Sequence, residues 1–268
     1  MCIRDSSIRR RHIALTNLQL CFPEMNEAER QALVKRNFEE WGISLVEIAM
    51  SWFGTPEGFF DDLVIEGVEH FEEALAQDRG VILLGAHFST IELGSLLFRL
   101  SVGRDLPVHV VYREQKNELF NHVMKKRRLR YATSIIAKSN LRQIIRRLRA
   151  KEIIWYAPDH DLGEQNSVFV PFFAQTAATL TTTSQLASIH RAPVIMMSHY
   201  RNSDRRNYTV KFAPALENFP SGDNTQDAIE INRVIERAIQ QAPEQYMWIH
   251  RRFKTQPGME KGALYSKR

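Results

Sequence analysis

The sequence predicts an α/β fold, a single domain in which a mixed β-sheet is flanked by helices. Short apolar runs rich in branched residues, such as Val81–Ala86 and Ile153–Ala157, have the length of buried strands. Between such runs, longer segments such as Glu27–Phe53 and Asp223–Gln241 carry apolar residues at helical spacing. At 268 residues, the chain is long enough to form one large domain.

The other predicted elements continue this alternation. After the strand at Val81, a turn at His87 leads into a helix from Thr90. Further strands are expected at Val108–Tyr112, Pro193–Tyr200 and Tyr208–Phe212, an extended piece at Val168–Phe173, and helices at Glu69–Ala76, Glu118–Arg130, Asn140–Ala150 and Leu180–His190.

The composition is that of a globular protein with an excess of basic residues. Hydrophobic residues make up 44% of the chain and charged residues 25%, and the formal net charge is +5. A basic protein favours an anionic partner, which can be nucleic acid, anionic lipid or an acidic protein. No apolar run approaches the roughly 18 residues that a transmembrane helix requires. The two cysteines, Cys2 and Cys21, do not form a recognisable metal or disulfide pattern.

Basic residues are concentrated between Leu119 and Lys151, where no aspartate or glutamate occurs. A solvated helical face is the simplest interpretation of a charged stretch. A run of one sign repels itself, however, and lipid head groups, lipid phosphates or an acidic carrier protein would offset that repulsion. Nucleic acid would match the charge equally well, but no known nucleic-acid-binding motif accompanies the run.

His87 directly follows a predicted strand, and open α/β sheets place their active sites at the carboxyl ends of strands. Glu92 lies five residues further on, where the first helical turn can bring it back towards the imidazole. A carboxylate there would fix the tautomer of the ring and stabilise imidazolium, so that His87 could remove a proton from an alcohol. No Gly-x-Ser-x-Gly segment is present, which disfavours a covalent acyl-enzyme. The spacing alone is equally compatible with a structural role for both residues.

Several longer segments resemble the blocks of a known family. Gly85–Gly94, GAHFSTIELG, resembles the His-x-x-x-x-Asp/Glu block of the lysophospholipid acyltransferase superfamily. Four further segments are similar to blocks of one branch, the lipid A biosynthesis late acyltransferases, and occur in that family's order: Asn17–Glu24, Trp155–Asp161, Ser167–Phe173 and Ala242–Lys254. The resemblance extends from about Arg10 to Pro257.

This resemblance implies an acyltransferase-like fold and a particular reaction. Catalysis would rest on His87 and Glu92, with Arg128 and Asp159 in supporting or substrate-binding roles. The donor would be an acyl-acyl carrier protein, with lauroyl as the expected acyl group. The acceptor would be a hydroxyl of Kdo-lipid IVA, an anionic glycolipid at the cytoplasmic face of the bacterial inner membrane. Neither a cofactor, a metal nor nucleic acid is expected to take part.

The resemblance also predicts the domain organisation. Family members carry a hydrophobic anchor before the segment where this chain begins, so residues 1–25 are expected to be an N-terminal segment that follows a missing membrane anchor. Residues 26–257 would form the acyltransferase domain, and residues 258–268 a C-terminal tail.

Some alternatives stay open from the sequence alone. The acyl group could have another chain length, or the acceptor could be another phospholipid. A non-catalytic module that binds anionic lipid or nucleic acid belongs to a different class. Asp159, His160 and Asp161 could hold a metal or form a turn that stabilises the strand exit, and an orienting or acceptor-binding role for Asp159 is preferred to both. Phe88, Leu93 and Leu97 are candidates for the lining of an acyl-chain groove.

Overall fold

The computed structural model describes residues 3–55, 62–103, 105–204 and 207–266, and for residues 3–7 the backbone alone. The chain divides into two compact units. The sheet unit comprises Ile43–Ala157 and Gln185–Pro220, and the hairpin unit comprises Met1–Gly42, Pro158–Ser184 and Ser221–Arg268. Each unit is assembled from segments that are separated in the sequence. Cys2 lies outside the described residues.

The sheet unit contains a seven-stranded mixed sheet with the strand order β1-β9-β8-β2-β5-β3-β4. Neighbouring strands run parallel except for the antiparallel pair β8 and β9. The strands are β1 (Leu63–Glu66), β2 (Val81–Leu84), β3 (Val108–Tyr112), β4 (Ser134–Ala137), β5 (Ile153–Tyr156), β8 (Val194–Arg201) and β9 (Tyr208–Phe212). Each residue of β2 is fully buried, because β2 lies between β5 and β8 at the centre of the sheet.

Helices accompany the sheet, which confirms the predicted α/β class with a mixed sheet flanked by helices. They are the later part of α2 (Glu27–Phe53), α3 (Val68–Leu75), α4 (Gly94–Val102), α5 (Glu118–Arg128) and α6 (Leu141–Arg149). The side chains of Asn117 and Asn140 cap α5 and α6 by accepting hydrogen bonds from backbone N–H groups of the first turn. Helix α7 spans Thr182–Ala187.

The hairpin unit combines two helices, a β-hairpin and the C-terminal segment. Its elements are α1 (Ile3–Cys21), the first part of α2, the antiparallel strands β6 (Ser167–Phe172) and β7 (Gln175–Leu180), and α8 (Asn224–Gln241), which packs against β6. Among the helices in the described ranges, none is long and apolar enough to span a membrane.

Two buried asparagines hold the C-terminal segment of the hairpin unit. The amide of Asn17 donates to the carbonyls of Trp248 and His250, at 2.6 and 2.7 Å. The amide of Asn37 donates to the carbonyls of Glu244 and Tyr246, also at 2.6 and 2.7 Å. This segment begins with a 3₁₀ turn at Pro243–Gln245 and continues in further turns, and the two amide side chains donate to four of its carbonyls.

Three sequence-based expectations differ from the structure. Residues 3–21 form helix α1, and strands β1, β4 and β7 occur, although no regular element was expected at these places. The helix expected at Leu180–His190 is shorter, because Leu180 ends β7 and the helical residues are Thr182–Ala187. Leu180 pairs with Ser167 across the hairpin, so its backbone belongs to a strand.

Candidate active site

His87 lies in a tight turn immediately beyond the central strand β2. The strand ends at Leu84, and the backbone N–H of Gly85 still donates to the carbonyl of Tyr156 at 2.9 Å. His87 follows at the carboxyl end of the parallel strands and is half-buried. The turn therefore presents the imidazole at the edge of the sheet where open α/β folds bind their substrates.

Two glycines allow this turn to pack around the indole of Trp155 on β5. A Cβ atom at Gly85 would lie 2.6 Å from Nε1 of Trp155, and a Cβ atom at Gly94 would lie 2.1 Å from Cη2 of the same indole. Both distances are too short for any side chain, so the turn and the start of α4 approach Trp155 only because these positions are glycine. The glycines that bracket the His87 block thus have a packing role.

Glu92 lies on a single turn of 3₁₀-helix, Ile91–Leu93, between β2 and α4. Its carboxylate accepts a bidentate pair of hydrogen bonds from Arg128, with Nε at 3.0 Å from Oε2 and Nη2 bonded to Oε1. The indole N–H of Trp52 donates to the same Oε2 at 3.1 Å. Three charge-assisted hydrogen bonds therefore fix the orientation of this carboxylate.

Arg128 is the last residue of α5, where the helix dipole favours a cation. Its guanidinium and the Glu92 carboxylate are partly accessible, with side-chain exposures of 22% and 12%. The structure thus brings together Glu92 and Arg128, two of the residues expected at the site, and gives Arg128 a direct partner in the protein. From the sequence, Arg128 was expected only in a supporting or substrate-binding role.

A buried hydrogen-bond pair supports the turn from behind. The hydroxyl of Thr90 lies 2.7 Å from Nδ1 of His199 and 3.0 Å from the carbonyl oxygen of the same residue. Burial lowers the pKa of His199 to about 4, so its ring is neutral at pH 7. With a proton on Nδ1, His199 donates to Thr90 while the hydroxyl donates to the carbonyl. Every polar group in this contact is then satisfied.

Trp52 was not expected at the site. In the sequence it is one of several apolar residues at helical spacing in α2, and its spacing to Glu92 is 40 residues, so no local pattern indicates the hydrogen bond. The hydroxyl of Ser51 also donates to the backbone carbonyl of Glu92 at 3.1 Å. Two residues at the end of α2 therefore hold Glu92, one through its carboxylate and the other through its backbone carbonyl.

The same helix is tied to the sheet by a buried ion pair. Arg201 of β8 donates to both carboxylate oxygens of Glu47, with Nε–Oε1 at 2.7 Å and Nη2–Oε2 at 2.5 Å. The hydroxyl of Tyr208 on β9 donates to Oε1 as well. Burial and the neighbouring Glu47 carboxylate raise the pKa of Tyr208. This cluster fixes the register of α2, and hence the position of Trp52 five residues later.

Asp159 belongs to the hairpin unit and is buried there. Its carboxylate is hydrogen-bonded to the hydroxyl of Tyr246, and burial together with this carboxylate raises the pKa of Tyr246. Asp161, two residues later, accepts from the backbone N–H groups of Gly163 and Thr255 at 2.9 and 2.8 Å, and from the hydroxyl of Thr255 at 2.9 Å. Asp161 thus stabilises the turn after β5, which agrees with the alternative of a structural turn.

The apolar residues expected to line an acyl-chain groove lie in the protein interior. Leu93 and Leu97 are fully buried members of the main hydrophobic core, and Phe88 is fully buried against the rings of His199 and Tyr200. These side chains have no free surface for an acyl chain. Their apolar character reflects the packing of the turn and of α4 on the sheet, so the expectation was wrong for these three residues.

Comparison of the sequence with known proteins identifies its family. A family model described as bacterial lipid A biosynthesis acyltransferase matches residues 2–255. The chain belongs to this family. It is 41% identical over 250 residues to a lipid A biosynthesis lauroyltransferase of Escherichia coli (strain K12), which covers 93% of this chain and 80% of the relative.

Two further relatives from the same organism differ in the acyl group of their names. A lipid A biosynthesis palmitoleoyltransferase is 38% identical over 258 residues, covering 96% of this chain and 82% of the relative. A lipid A biosynthesis myristoyltransferase is 30% identical over 254 residues, covering 94% and 77%. The chain is therefore an acyltransferase of lipid A biosynthesis, which excludes the alternative of a non-catalytic binding module. Family membership does not distinguish among these acyl groups.

Proposed function

We propose that this acyltransferase moves a lauroyl group from an acyl-acyl carrier protein to a hydroxyl of Kdo-lipid IVA. The single observation that carries the mechanism is the carboxylate of Glu92, oriented by Arg128 and Trp52 within five residues of His87. The identity of 41% to the lauroyltransferase supports the choice of acyl group. No metal or cofactor is needed for direct attack of an alcohol on a thioester.

His87 is the proposed general base. Its imidazole takes the proton of the acceptor hydroxyl while the oxygen attacks the thioester carbonyl carbon. The tetrahedral intermediate then collapses, the carbon–sulfur bond breaks, and protonated His87 returns the proton to the leaving thiolate. The products are the acyl ester of the acceptor and the free thiol of the carrier protein. General base catalysis of this kind contributes roughly 100-fold to 10,000-fold in rate.

Glu92 is the proposed partner of His87. An ionised carboxylate offers about four acceptor positions, and Arg128 and Trp52 occupy three of them. The remaining position suits an N–H of the His87 imidazole. A carboxylate that cannot rotate would hold the ring in one tautomer and stabilise the imidazolium as it forms.

Arg128 is proposed as a positioning residue for Glu92. Its planar guanidinium matches a carboxylate with two parallel hydrogen bonds, which a lysine cannot reproduce. Asp159, whose carboxylate is hydrogen-bonded to Tyr246, is proposed to have a substrate-binding or supporting role. The two residues would thus support binding and orientation, while His87 carries the proton.

The basic segment supports anionic partners. In α5 and α6 the last turns carry Lys125, Lys126, Arg127, Arg146 and Arg149, among others. Both an acidic carrier protein and a phosphorylated glycolipid would be attracted by this charge, whereas no nucleic acid is expected. We propose that the reaction takes place at the cytoplasmic face of the bacterial inner membrane, with residues 1–25 as an N-terminal segment, residues 26–257 as the catalytic domain and residues 258–268 as a tail.

The direct test is transfer of radiolabelled lauroyl from its carrier protein to Kdo-lipid IVA in detergent micelles. The parent chain is expected to form the acylated lipid, and His87→Ala is expected to lose roughly 100-fold or more. His122→Ala, at an exposed histidine on α5, is the matched control and should retain parental activity. Equal activity of His87→Ala and the parent would refute the assignment of the base.

A different acyl group is the second candidate, because the palmitoleoyltransferase is nearly as similar, at 38% identity. An equimolar mixture of lauroyl-, myristoyl- and palmitoleoyl-carrier protein separates the candidates in one reaction. Mass spectrometry of the lipid product is expected to show mainly the lauroyl ester. A product dominated by another acyl group would leave the proposed mechanism unchanged and would contradict the proposed specificity for lauroyl.

A further inference from the structure

The end of helix α2 exposes an unusual set of apolar side chains. Leu45 is 69% exposed, Val46 61% and Phe53 63%, and Ala49 between them is exposed as well. Positions 45, 46, 49 and 53 fall on one face of a helix. The only acidic residue from Ile43 to Thr55 is Glu47, which is buried in its pair with Arg201.

This face continues onto the start of α5. Leu119 is 74% exposed and Phe120 48%. The ring of Trp52 connects the two helices, with its centroid 6.3 Å from that of Phe53 and 5.6 Å from that of Phe120. We call these exposed side chains, Leu45, Val46, Ala49, Phe53, Leu119 and Phe120, the apolar surface.

Basic side chains border the apolar surface. The guanidinium of Arg127 lies 4.6 Å from the ring centroid of Phe53, and the exposed Arg130 donates to the carbonyls of Ser51 and Gly54 at 3.2 and 2.9 Å. Lys126, the residue before Arg127 on α5, is exposed as well. Exposed acids, Glu114 and Glu118, lie near Leu119 in sequence, so the positive charge is concentrated at the end of α5.

We propose that the apolar surface docks on an anionic lipid bilayer, with Phe53 and Leu119 in the acyl region and Arg127, Arg130 and Lys126 at the level of the head groups. Apolar side chains bordered by cations are the composition that binds an anionic membrane interface. Basic residues near such a surface add electrostatic attraction to the anionic head groups. A soluble acidic protein would match the cations but would leave the exposed leucine, valine and phenylalanine without partners.

The apolar surface lies close to Glu92, so docking on a bilayer would bring a lipid acceptor near the site. Trp52 contacts Phe53 and Phe120 with its ring, while its N–H donates to the carboxylate of Glu92. The buried Trp52 therefore links the apolar surface to the site. A lipid acceptor held in the bilayer would present its hydroxyl close to the docked surface. This part of the inference rests on the proposed function, whereas bilayer binding by the apolar surface does not.

Co-sedimentation with vesicles tests the docking. The parent chain is expected to bind vesicles of phosphatidylcholine and phosphatidylglycerol in equal parts, and to bind phosphatidylcholine alone more weakly. Leu45→Ser combined with Val46→Ser is expected to lower the partition coefficient roughly tenfold or more, because two exposed apolar side chains no longer enter the lipid. Leu119→Ser is the independent second variant, expected to lose several-fold. Met259→Ser, at an exposed apolar residue outside the apolar surface, should bind as the parent does.

Several outcomes would overturn the proposal. Parental binding by both the Leu45→Ser, Val46→Ser chain and Leu119→Ser, with circular dichroism showing that they are folded, would exclude this surface. So would equal binding to vesicles with and without phosphatidylglycerol, because the cations would then have no role. If the double variant instead converted a dimer to a monomer in sedimentation while vesicle binding stayed unchanged, the apolar surface would be an interface between copies of the chain.

Activity measurements separate this inference from the proposed function. In detergent micelles the enzyme does not need to bind a bilayer, so the Leu45→Ser, Val46→Ser chain is expected to transfer acyl groups at the parental rate. With the acceptor in vesicles it is expected to be at least several-fold slower. His87→Ala should show the opposite pattern, with parental vesicle binding and no rapid transfer under either condition. A parent that binds vesicles but never transfers an acyl group would refute the proposed function alone.

Discussion

Two arginine–glutamate pairs of the sheet unit share the same bidentate geometry but differ in their surroundings. In the pair of Arg201 with Glu47, the side chains are 1% and 4% exposed, and Tyr208 adds a third hydrogen bond. In the pair of Arg128 with Glu92, the side chains are 22% and 12% exposed, and Trp52 adds the third hydrogen bond. No reactant can reach the first carboxylate, whereas the second is partly exposed on the 3₁₀ turn that follows His87 in the chain.

This difference in burial implies different roles for the two pairs. A charge that is fully buried is tolerated only with its partner present, so the Glu47 cluster should be needed for folding. A partly exposed pair is screened by solvent and contributes less to the free energy of unfolding. The Arg201 cluster therefore fixes the position of α2, and we propose that the Arg128 cluster orients Glu92 for catalysis.

The largest effect is expected for Arg201→Met. Removal of the guanidinium leaves the Glu47 carboxylate buried without its counter-charge, which should lower the free energy of unfolding by about 3–5 kcal/mol. Guanidinium chloride denaturation of the parent and the variant measures it. Arg128→Met is the matched control and should lose only about 1 kcal/mol. Equal losses in the two variants would show that the pairs do not differ in the way the structure indicates.

The pH dependence of stability provides the next test. Burial lowers the pKa of His199 to about 4, while an unfolded histidine has a pKa near 6.5. As the pH falls below 6.5, His199 binds a proton in the unfolded state but not in the folded state, so the free energy of unfolding decreases. From pH 7 to pH 5 this loss is about 2 kcal/mol, at about 1.4 kcal/mol for each pKa unit.

The contribution of His199 can be isolated with His199→Asn, which keeps a polar group near Thr90 but does not titrate. The free energy of unfolding of this variant, measured at pH 7 and pH 5, should fall by about 2 kcal/mol less than that of the parent. An identical pH dependence in the two proteins would mean that His199 titrates normally in the folded state.

A smaller effect is expected for Arg128→Lys, which keeps the charge and removes the fork. Lysine cannot form both hydrogen bonds to Glu92, so the carboxylate would be less well oriented and kcat should fall roughly tenfold. KM for the carrier protein should change little. Arg142→Lys, at an exposed residue of α6, is the control. A rise in KM with unchanged kcat would instead indicate that Arg128 binds a substrate.

The smallest effect is expected for Trp52→Phe. This change deletes the N–H that donates to Glu92 and keeps an aromatic ring for Phe53 and Phe120. A single hydrogen bond of this kind contributes about 0.5–1.5 kcal/mol, so kcat should fall about threefold to tenfold. The assay in micelles measures it without the bilayer. Unchanged kcat would remove Trp52 from the set of residues that position Glu92.

The sequence is most informative where the determinants of structure are local. The strand β2, the turn at His87 and the following helix were predicted because a glycine-bounded apolar run and a helical periodicity lie next to each other. Strands β1 and β4 were missed because each has four residues, and β1 is largely exposed, so neither shows a clear pattern of burial. Helix α1 was missed because its apolar residues do not mark one face strongly.

Within the site, the limit of sequence-based prediction is the distance between partners. Glu92 and Arg128 could be selected individually from a resemblance, but their ion pair joins residues 36 positions apart, on a 3₁₀ turn and at the end of α5. Leu93 and Leu97 illustrate the opposite error, because their neighbourhood to His87 in sequence suggested a groove while the fold places them in the core. Which face of a helix meets the sheet is decided by tertiary packing.

The central claim is that His87 and Glu92 act as one catalytic unit. It is tested most directly by a double-mutant cycle of His87→Ala and Glu92→Gln in single-turnover lauroyl transfer to Kdo-lipid IVA. If the carboxylate works through the imidazole, Glu92→Gln should slow the parent roughly 100-fold but slow the His87→Ala protein hardly at all. If Glu92→Gln slows both proteins by the same factor, the two residues act independently, and the account of this site is wrong.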